Sequence, residues 1–129
     1  MSAASPPDVS VVVVSFNTRD VLRECLQTLV REAGGVRYET IVVDNASRDG
    51  SADMVEQEFP EATLIRSGVN LGFAAANNRG FAIAKGRYVV ALETARMFDN
   101  IDGAVMTPEQ YIAFVRSAWS LIGVSGGGK

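Results

Sequence analysis

The chain has 129 residues, with 12 basic against 15 acidic side chains and a formal charge of -3. Its pI is near 4.9, which excludes a broad nucleic-acid footprint, because that needs a clustered basic excess. The length sets one domain able to bury a real core, and 47% hydrophobic with 21% charged residues excludes global disorder. Histidine is absent, so Ser-His-Asp triads, HExxH zinc sites and any imidazole base are excluded as well.

The single cysteine, Cys25, gives no intrachain disulfide and sits in helix-like apolar spacing, as a buried thiol would. The purest apolar run, residues 11–14, is four long, far short of a membrane span, so no transmembrane segment is expected. Residues 1–8 read as a loose leader without the features of a secretory signal. A cytoplasmic location follows, extending at most to the inner face of the membrane.

Residues 9–16 (VSVVVVSF) form a nearly continuous β-branched run, as in a parallel strand covered on both faces. Asn17 and Thr18 are candidate N-caps for a helix carrying Val21, Leu22, Cys25, Leu26, Leu29 and Val30, stopped at Gly34 and Gly35. A second strand, residues 40–43, ends in Asp44, and a polar turn follows at 45–50. Ser51 is placed to cap a helix with Met54, Val55 and Phe59 before Pro60. Residues 63–65 make a third strand, and a turn-rich stretch at 67–72 leads into a small-residue helix at 73–84. Lys85 and Gly86 close that helix, and 88–92 is a fourth strand.

This β-α-β-α-β-α-β alternation specifies an α/β sheet with right-handed crossovers. Ligands in such sheets settle beyond the carboxyl ends of the strands, which points to residues 15–17, 44–45 and 93. Further on, 96–103 reads as a loop, and 107–110 is a capping box opening a helix to 122. That helix carries an apolar stripe, and 123–129 is a flexible tail.

Asp44 at the end of a buried strand is costly to desolvate without a hydrogen-bond partner. That partner is a ribose hydroxyl or base N–H in one reading, and the following turn in the other. Ser15, Phe16 and Asn17 either face a nucleobase or, for Asn17, cap the next helix. No G-x-G-x-x-G follows the first strand, so the dinucleotide fingerprint is missing. Asn77, Asn78 and Arg79 sit within a small-residue helix that asparagine does not favour. Either diphosphate oxygens meet Arg79 and backbone groups meet Asn77, or the stretch serves close helix packing. The tail matches G-x-x-x-x-G-K but lacks the Ser/Thr and the helix of a P-loop, and is read as coincidence.

Three stretches, VVVVSFNTRDVLRECLQTL, ETIVVDNASRDGSADMV and RSGVNLGFAAANNRGFAIAKGRYVVAL, resemble the start of a family 2 glycosyltransferase of the rhamnosyltransferase-like branch. The resemblance implies the nucleotide-diphospho-sugar transferase fold, a GT-A-like, Rossmann-like three-layer sandwich, apparently truncated to its donor-binding half at 9–95. It places Ser15, Phe16, Asn17, Asp44, Asn45, Asn77 and Arg79 at the nucleotide. It also implies inverting transfer from a UDP- or dTDP-linked sugar to a saccharide or lipid-linked acceptor. A divalent metal, Mg or Mn, would be held by an acidic motif after the fourth strand, and a later carboxylate would act as base.

Here that motif reads Glu93-Thr94-Ala95, so Glu93 is the one metal ligand in register and the main carboxylate position holds alanine. Asp99 and Asp102 lie out of register, and resemblance stops at Arg96. The fourth strand is then an open edge through which the chain would dimerise. The alternative is a non-catalytic nucleotide-binding or interaction module. A response-regulator-type domain would need acids at the end of the first strand, where Ser15, Phe16 and Asn17 stand.

Overall fold

The computed structural model describes residues 6–33 and 35–94, together with Ala113. Apart from Ala113, the expected loop at 96–103, helix at 107–122 and tail at 123–129 lie outside the described residues, as do residues 1–5 and Ala95. The elements run β1 (Val9–Ser15), α1 (Arg19–Glu32), β2 (Tyr38–Asp44), α2 (Ser51–Glu58), β3 (Thr63–Arg66), α3 (Phe73–Ile83) and β4 (Tyr88–Glu93).

The strands form one parallel sheet in the order β3-β2-β1-β4. All of β1 is buried, because it pairs on both sides, with β2 from Val9↔Tyr38 to Ser15↔Asp44 and with β4 from Val9↔Tyr88 to Val14↔Glu93. This is why its sequence shows no polar alternation: helices cover both faces. On one face Val9, Val11, Val13, Val42 and Leu92 meet Leu22, Cys25, Leu26 and Leu29 of α1 and Met54 and Val55 of α2. Each fully buried leucine there contributes roughly 1.5–3 kcal/mol. On the other face Val12, Val14, Ile41 and Val43 meet Ala76 of α3. Burial pushes the Cys25 thiol up to about 12, so it is a core group and not a nucleophile.

The stripe expected on α1 is narrower than its sequence suggests. Val30 is 66% exposed, because one residue beyond Leu29 the helix has turned about 100° away from the sheet. Thr28 is buried instead, its hydroxyl donating to the Glu24 carbonyl at 2.8 Å. No helix among the described residues is long and apolar enough to cross a membrane.

The small residues of α3 have a geometric cause. A Cβ on Gly80 would fall inside van der Waals contact with Cγ1 of Val12, so the helix lies almost directly on β1. The lower end of the sheet is pinned by Glu39, whose carboxylate accepts from the Ser10 hydroxyl and from the Lys85 N–H, the latter at 2.7 Å. Ser10 Oγ in turn accepts from the Gly86 N–H at 2.8 Å. β3 and β4 are the two edges of the described sheet.

Replacing Gly80 by alanine should therefore destabilise the fold by about 1–3 kcal/mol despite alanine's better helix propensity, since β1 cannot retreat. Urea unfolding followed by circular dichroism measures this; a midpoint equal to that of the parent chain would refute the close approach.

Candidate functional site

At the carboxyl end of β1 the Ser15 hydroxyl points inward. It lies 3.2 Å from the Thr18 hydroxyl, which bonds the Thr94 hydroxyl, which in turn donates to the Val14 carbonyl at 3.4 Å. Ser15 is fully buried, and this hydroxyl chain ties the end of β1 to that of β4. Asn17 follows in the left-handed region with φ 52°. Its N–H donates to Ser47 Oγ at 2.8 Å, and its Oδ1 accepts from the Arg48 N–H at 2.8 Å.

Neither Asn17 nor Thr18 caps α1 by its side chain, contrary to the sequence expectation. The acceptor comes from 30 residues away: Arg19 N–H donates to Asp49 Oδ2 at 2.9 Å. Ser51 is likewise the first residue of α2 and not its cap; its N–H donates at 3.1 Å to Asp49 Oδ1, as does its hydroxyl. One carboxylate thus serves the first turns of two helices. Burial alone would raise the Asp49 carboxyl, but hydrogen bonds from the Ser51 hydroxyl, the Arg19 and Ser51 N–H groups and its own N–H outweigh that and hold it below the usual carboxylate range.

Asp44 at the end of β2 is 4% exposed and divides its two oxygens. Oδ2 accepts from the Ser47 N–H at 3.0 Å, the turn role, whereas Oδ1 is buried with no hydrogen-bond partner among the described residues. Its main-chain carbonyl accepts from the Ser67 N–H at 2.9 Å. Asn45 is buried, with both ends of its amide engaged by the loop after β3. Oδ1 accepts from Leu71 N–H at 2.8 Å, and Nδ2 donates to Asn70 Oδ1 at 3.0 Å.

On α3, Asn77 is buried with its Oδ1 unpartnered among the described residues, and Arg79 is exposed. Glu93, half-buried, ends β4 beside Val14. The described residues contain no group of three or more Asp, Glu, Cys or His side chains placed to hold a metal ion. Mg or Mn sites need several oxygen ligands, and one carboxylate at the end of β4 does not supply them. The described donor set therefore does not fit a divalent cation.

Above the ends of β1, β2 and β3 lies an open cleft of about 640 Å³. Its walls are Phe16 and Asn17, residues 46–48 and residues 67–70. Phe16 is 41% exposed and Val69 63%, so both present apolar surface to this opening. Ser47 and Ser67, the residues held by Asp44, stand in the wall. The structure thus brings Phe16 and Asn17 into the cleft wall with Asp44 and Asn45 bonded behind it, while Asn77, Arg79 and Glu93 are not part of the lining. A smaller hollow of about 250 Å³ near the opposite end of β2, between Leu29, Tyr38 and Phe59, is walled mainly by helix and strand.

The sequence model of glycosyl transferase family 2 matches residues 10–93. The chain belongs to that family. The match is to the family as a whole and does not single out its rhamnosyltransferase-like branch. The chain is 33% identical over 91 residues to a poly(ribitol-phosphate) beta-glucosyltransferase of Bacillus spizizenii, covering 67% of this chain and 14% of that protein. It is 32% identical over 108 residues to the succinoglycan biosynthesis protein ExoO of Rhizobium meliloti, covering 76% and 31%. The chain therefore spans less than a third of the length of these relatives.

Among solved structures it resembles a mannosyltransferase of Pyrobaculum calidifontis in complex with GDP-Man and Mn2+. That likeness has a TM-score of 0.60 and 28% identity over 70% of this chain and 28% of that one. The fold is also that of S. aureus TarS 1-349 in complex with UDP, with a TM-score of 0.61 and 19% identity over 88% and 32%. The expected GT-A-like α/β sheet of the family 2 glycosyltransferases is thus the observed one.

Two residues of the corner escaped the sequence reading. Asp49 carries no local sign that it caps α1, because its partner is remote in the chain; its position two residues before Ser51 was the one available hint. Arg48 looked like an ordinary turn residue, yet it lines the cleft.

Asp49→Asn should lower stability by about 1–2 kcal/mol at pH 7, the cost of weakening two helix starts. A carboxyl held low in the fold stabilises above its unfolded pKa of about 3.9 and loses that contribution as pH falls through the folded value. The gap between parent and variant urea midpoints should accordingly narrow below about pH 4; a gap that does not change with pH would contradict the double cap.

Proposed function

We propose that the chain holds the nucleotide of a nucleotide-diphospho-sugar donor, UDP or dTDP in type, in the cleft over β1, β2 and β3. The observation that carries this is an exposed aromatic, Phe16, in the wall of a cleft at the strand carboxyl ends of a family 2 glycosyltransferase chain. A pyrimidine ring stacks on Phe16, where base–aromatic contact is worth roughly 1–3 kcal/mol. Asn17 Nδ2, which has no partner among the described residues, donates to a base carbonyl or ribose hydroxyl. Asp44 and Asn45 act from beneath as positioning residues, holding the turn at 46–48 and the loop at 67–72 that form the walls.

The reaction we propose is inverting transfer. An acceptor hydroxyl, on a saccharide or lipid-linked carrier, attacks the anomeric carbon as the bond to the nucleoside diphosphate breaks; a carboxylate base takes the hydroxyl proton, and the nucleoside diphosphate leaves with the bonding electron pair. The described residues contribute binding and orientation to that step. Since their donor set does not fit a divalent cation, no part of this reading runs through one.

Calorimetric titration of UDP and dTDP tests it. Phe16 is half out of the fold, so Phe16→Ala should leave the circular dichroism spectrum unchanged while weakening UDP binding about tenfold. Failure of the parent chain to bind either nucleotide, or equal affinity of parent and variant, would overturn the proposal.

A further inference from the structure

We propose that residues 107–122 pack as a helix on the face of β4 that α3 leaves uncovered, through the apolar stripe their sequence carries. β4 is an edge of the described sheet, and its side chains alternate between two surroundings. Tyr88, Val90 and Leu92 join the core beneath α1 and α2. Val89 and Ala91 point to the α3 side and are exposed, Val89 at 45%. In register they stand beside Ser10 and Val12, both fully buried, so the cover over β1 stops before it reaches β4.

α3 adds to the same patch. Its row of Ala76 and Gly80 lies against β1. In a right-handed crossover from β3 to β4, the helix turns residues 77 and 81 from that row toward β4. Phe81 is 42% exposed there. Asn77, one turn earlier on the same side, is 5% exposed, and its Oδ1 has no donor among the described residues. A buried carbonyl oxygen in that state marks a place for a further donor.

The chain carries a matching element. Tyr111, Phe114, Val115, Ala118, Leu121 and Ile122 recur at helical spacing behind the capping box at 107–110. Apart from Ala113 this stretch lies outside the described residues. Ala113 is helical and exposed, and at about 100° per residue it falls opposite the stripe. Tyr111 and Trp119 bring side-chain donors suited to a mostly apolar contact. The lengths agree: a helix over 107–122 is roughly 24 Å long, against roughly 20 Å for β4. Residues 95–106 follow the upper end of β4 and reach about 40 Å when extended, enough to return the chain along the strand.

Hydrogen exchange on the full chain tests this, with Trp119, the one tryptophan, as a second reporter. A lone helix of this length is marginal in water, so protection at 111–122 requires docking. Those amides should exchange about tenfold or more slowly than in a peptide of the same sequence. Val89→Asp alters an already exposed side chain; it should remove the protection and speed acrylamide quenching of Trp119 about twofold or more. Phe114→Asp should do the same from the other partner, whereas Val30→Asp, on α1 across the sheet, should change neither. Protection of β1 and α1 in the same experiment checks that each variant is folded. Parent amides at 111–122 that exchange as fast as the peptide would overturn the inference, as would protection indifferent to both Val89→Asp and Phe114→Asp. Protection and a sedimentation coefficient that rise together with chain concentration would give the face to a second copy, and overturn it equally.

Discussion

The upper end of this molecule depends on one set of bonds between the loop leaving β1 and the loop leaving β2. A parallel sheet covered by helices ends each strand in a loop with unpaired main-chain donors, and each helix begins with more. Here the two loops satisfy one another. Asn17 exchanges bonds with Ser47 and Arg48, and Asp49 accepts from the first N–H groups of α1 and α2. The arrangement needs left-handed backbone at Asn17 (φ 52°) and Ala46 (φ 71°), which costs on the order of 1–3 kcal/mol per residue. Those bonds hold the strained conformers, and the conformers turn Phe16 and Arg48 to the outside.

A third loop is hung from the same corner. Asn45 reaches across to Leu71 and Asn70, and Asp44 holds Ser67 through its carbonyl, so the chain between β3 and α3 follows the end of β2. Behind this network α3 is pressed onto β1 at Gly80 and Val12, leaving little room to slide. The cleft walls thus come from three loops with one rigid backing, and side chains in them need little ordering when a ligand arrives.

The order and type of every described element were legible in the sequence, because β-branched runs bounded by turn residues and by helical periodicity are local signals. The region 15–17 and 44–45 was legible as a corner for a related reason: strand ends follow from strand positions. What the sequence did not show were the bonds between loops. Asn45 looked like a ligand contact and proves to have both ends of its amide committed to the 70–72 loop, a pairing across more than 24 residues that no window reveals. Thr18 and Ser51 fit every local rule for capping, yet the acceptor for both helices is Asp49. Val30 failed for a simpler reason, since an apolar residue at the rim of a helical stripe is buried only if the neighbouring element extends that far.

Net charge misleads about this corner in an instructive way. A chain at -3 with a pI near 4.9 would be expected to repel a nucleoside diphosphate. A ligand in the cleft, however, feels mainly charges within about one Debye length, roughly 8–10 Å at ordinary salt. Arg48 is the one formally charged residue of the cleft wall, and the Asp49 carboxylate next to it keeps its charge while it serves the helix starts; farther out, Asp53 and Glu56 pair with Arg66, and Asp20 with Arg19 and Arg23. Local pairing thus offsets the outlying acids, and the field at the opening is set by Arg48 against the carboxylate that follows it in the chain. The acidic total therefore does not by itself fix the field that a ligand meets, because that depends on which of the charges near the opening are ion-paired.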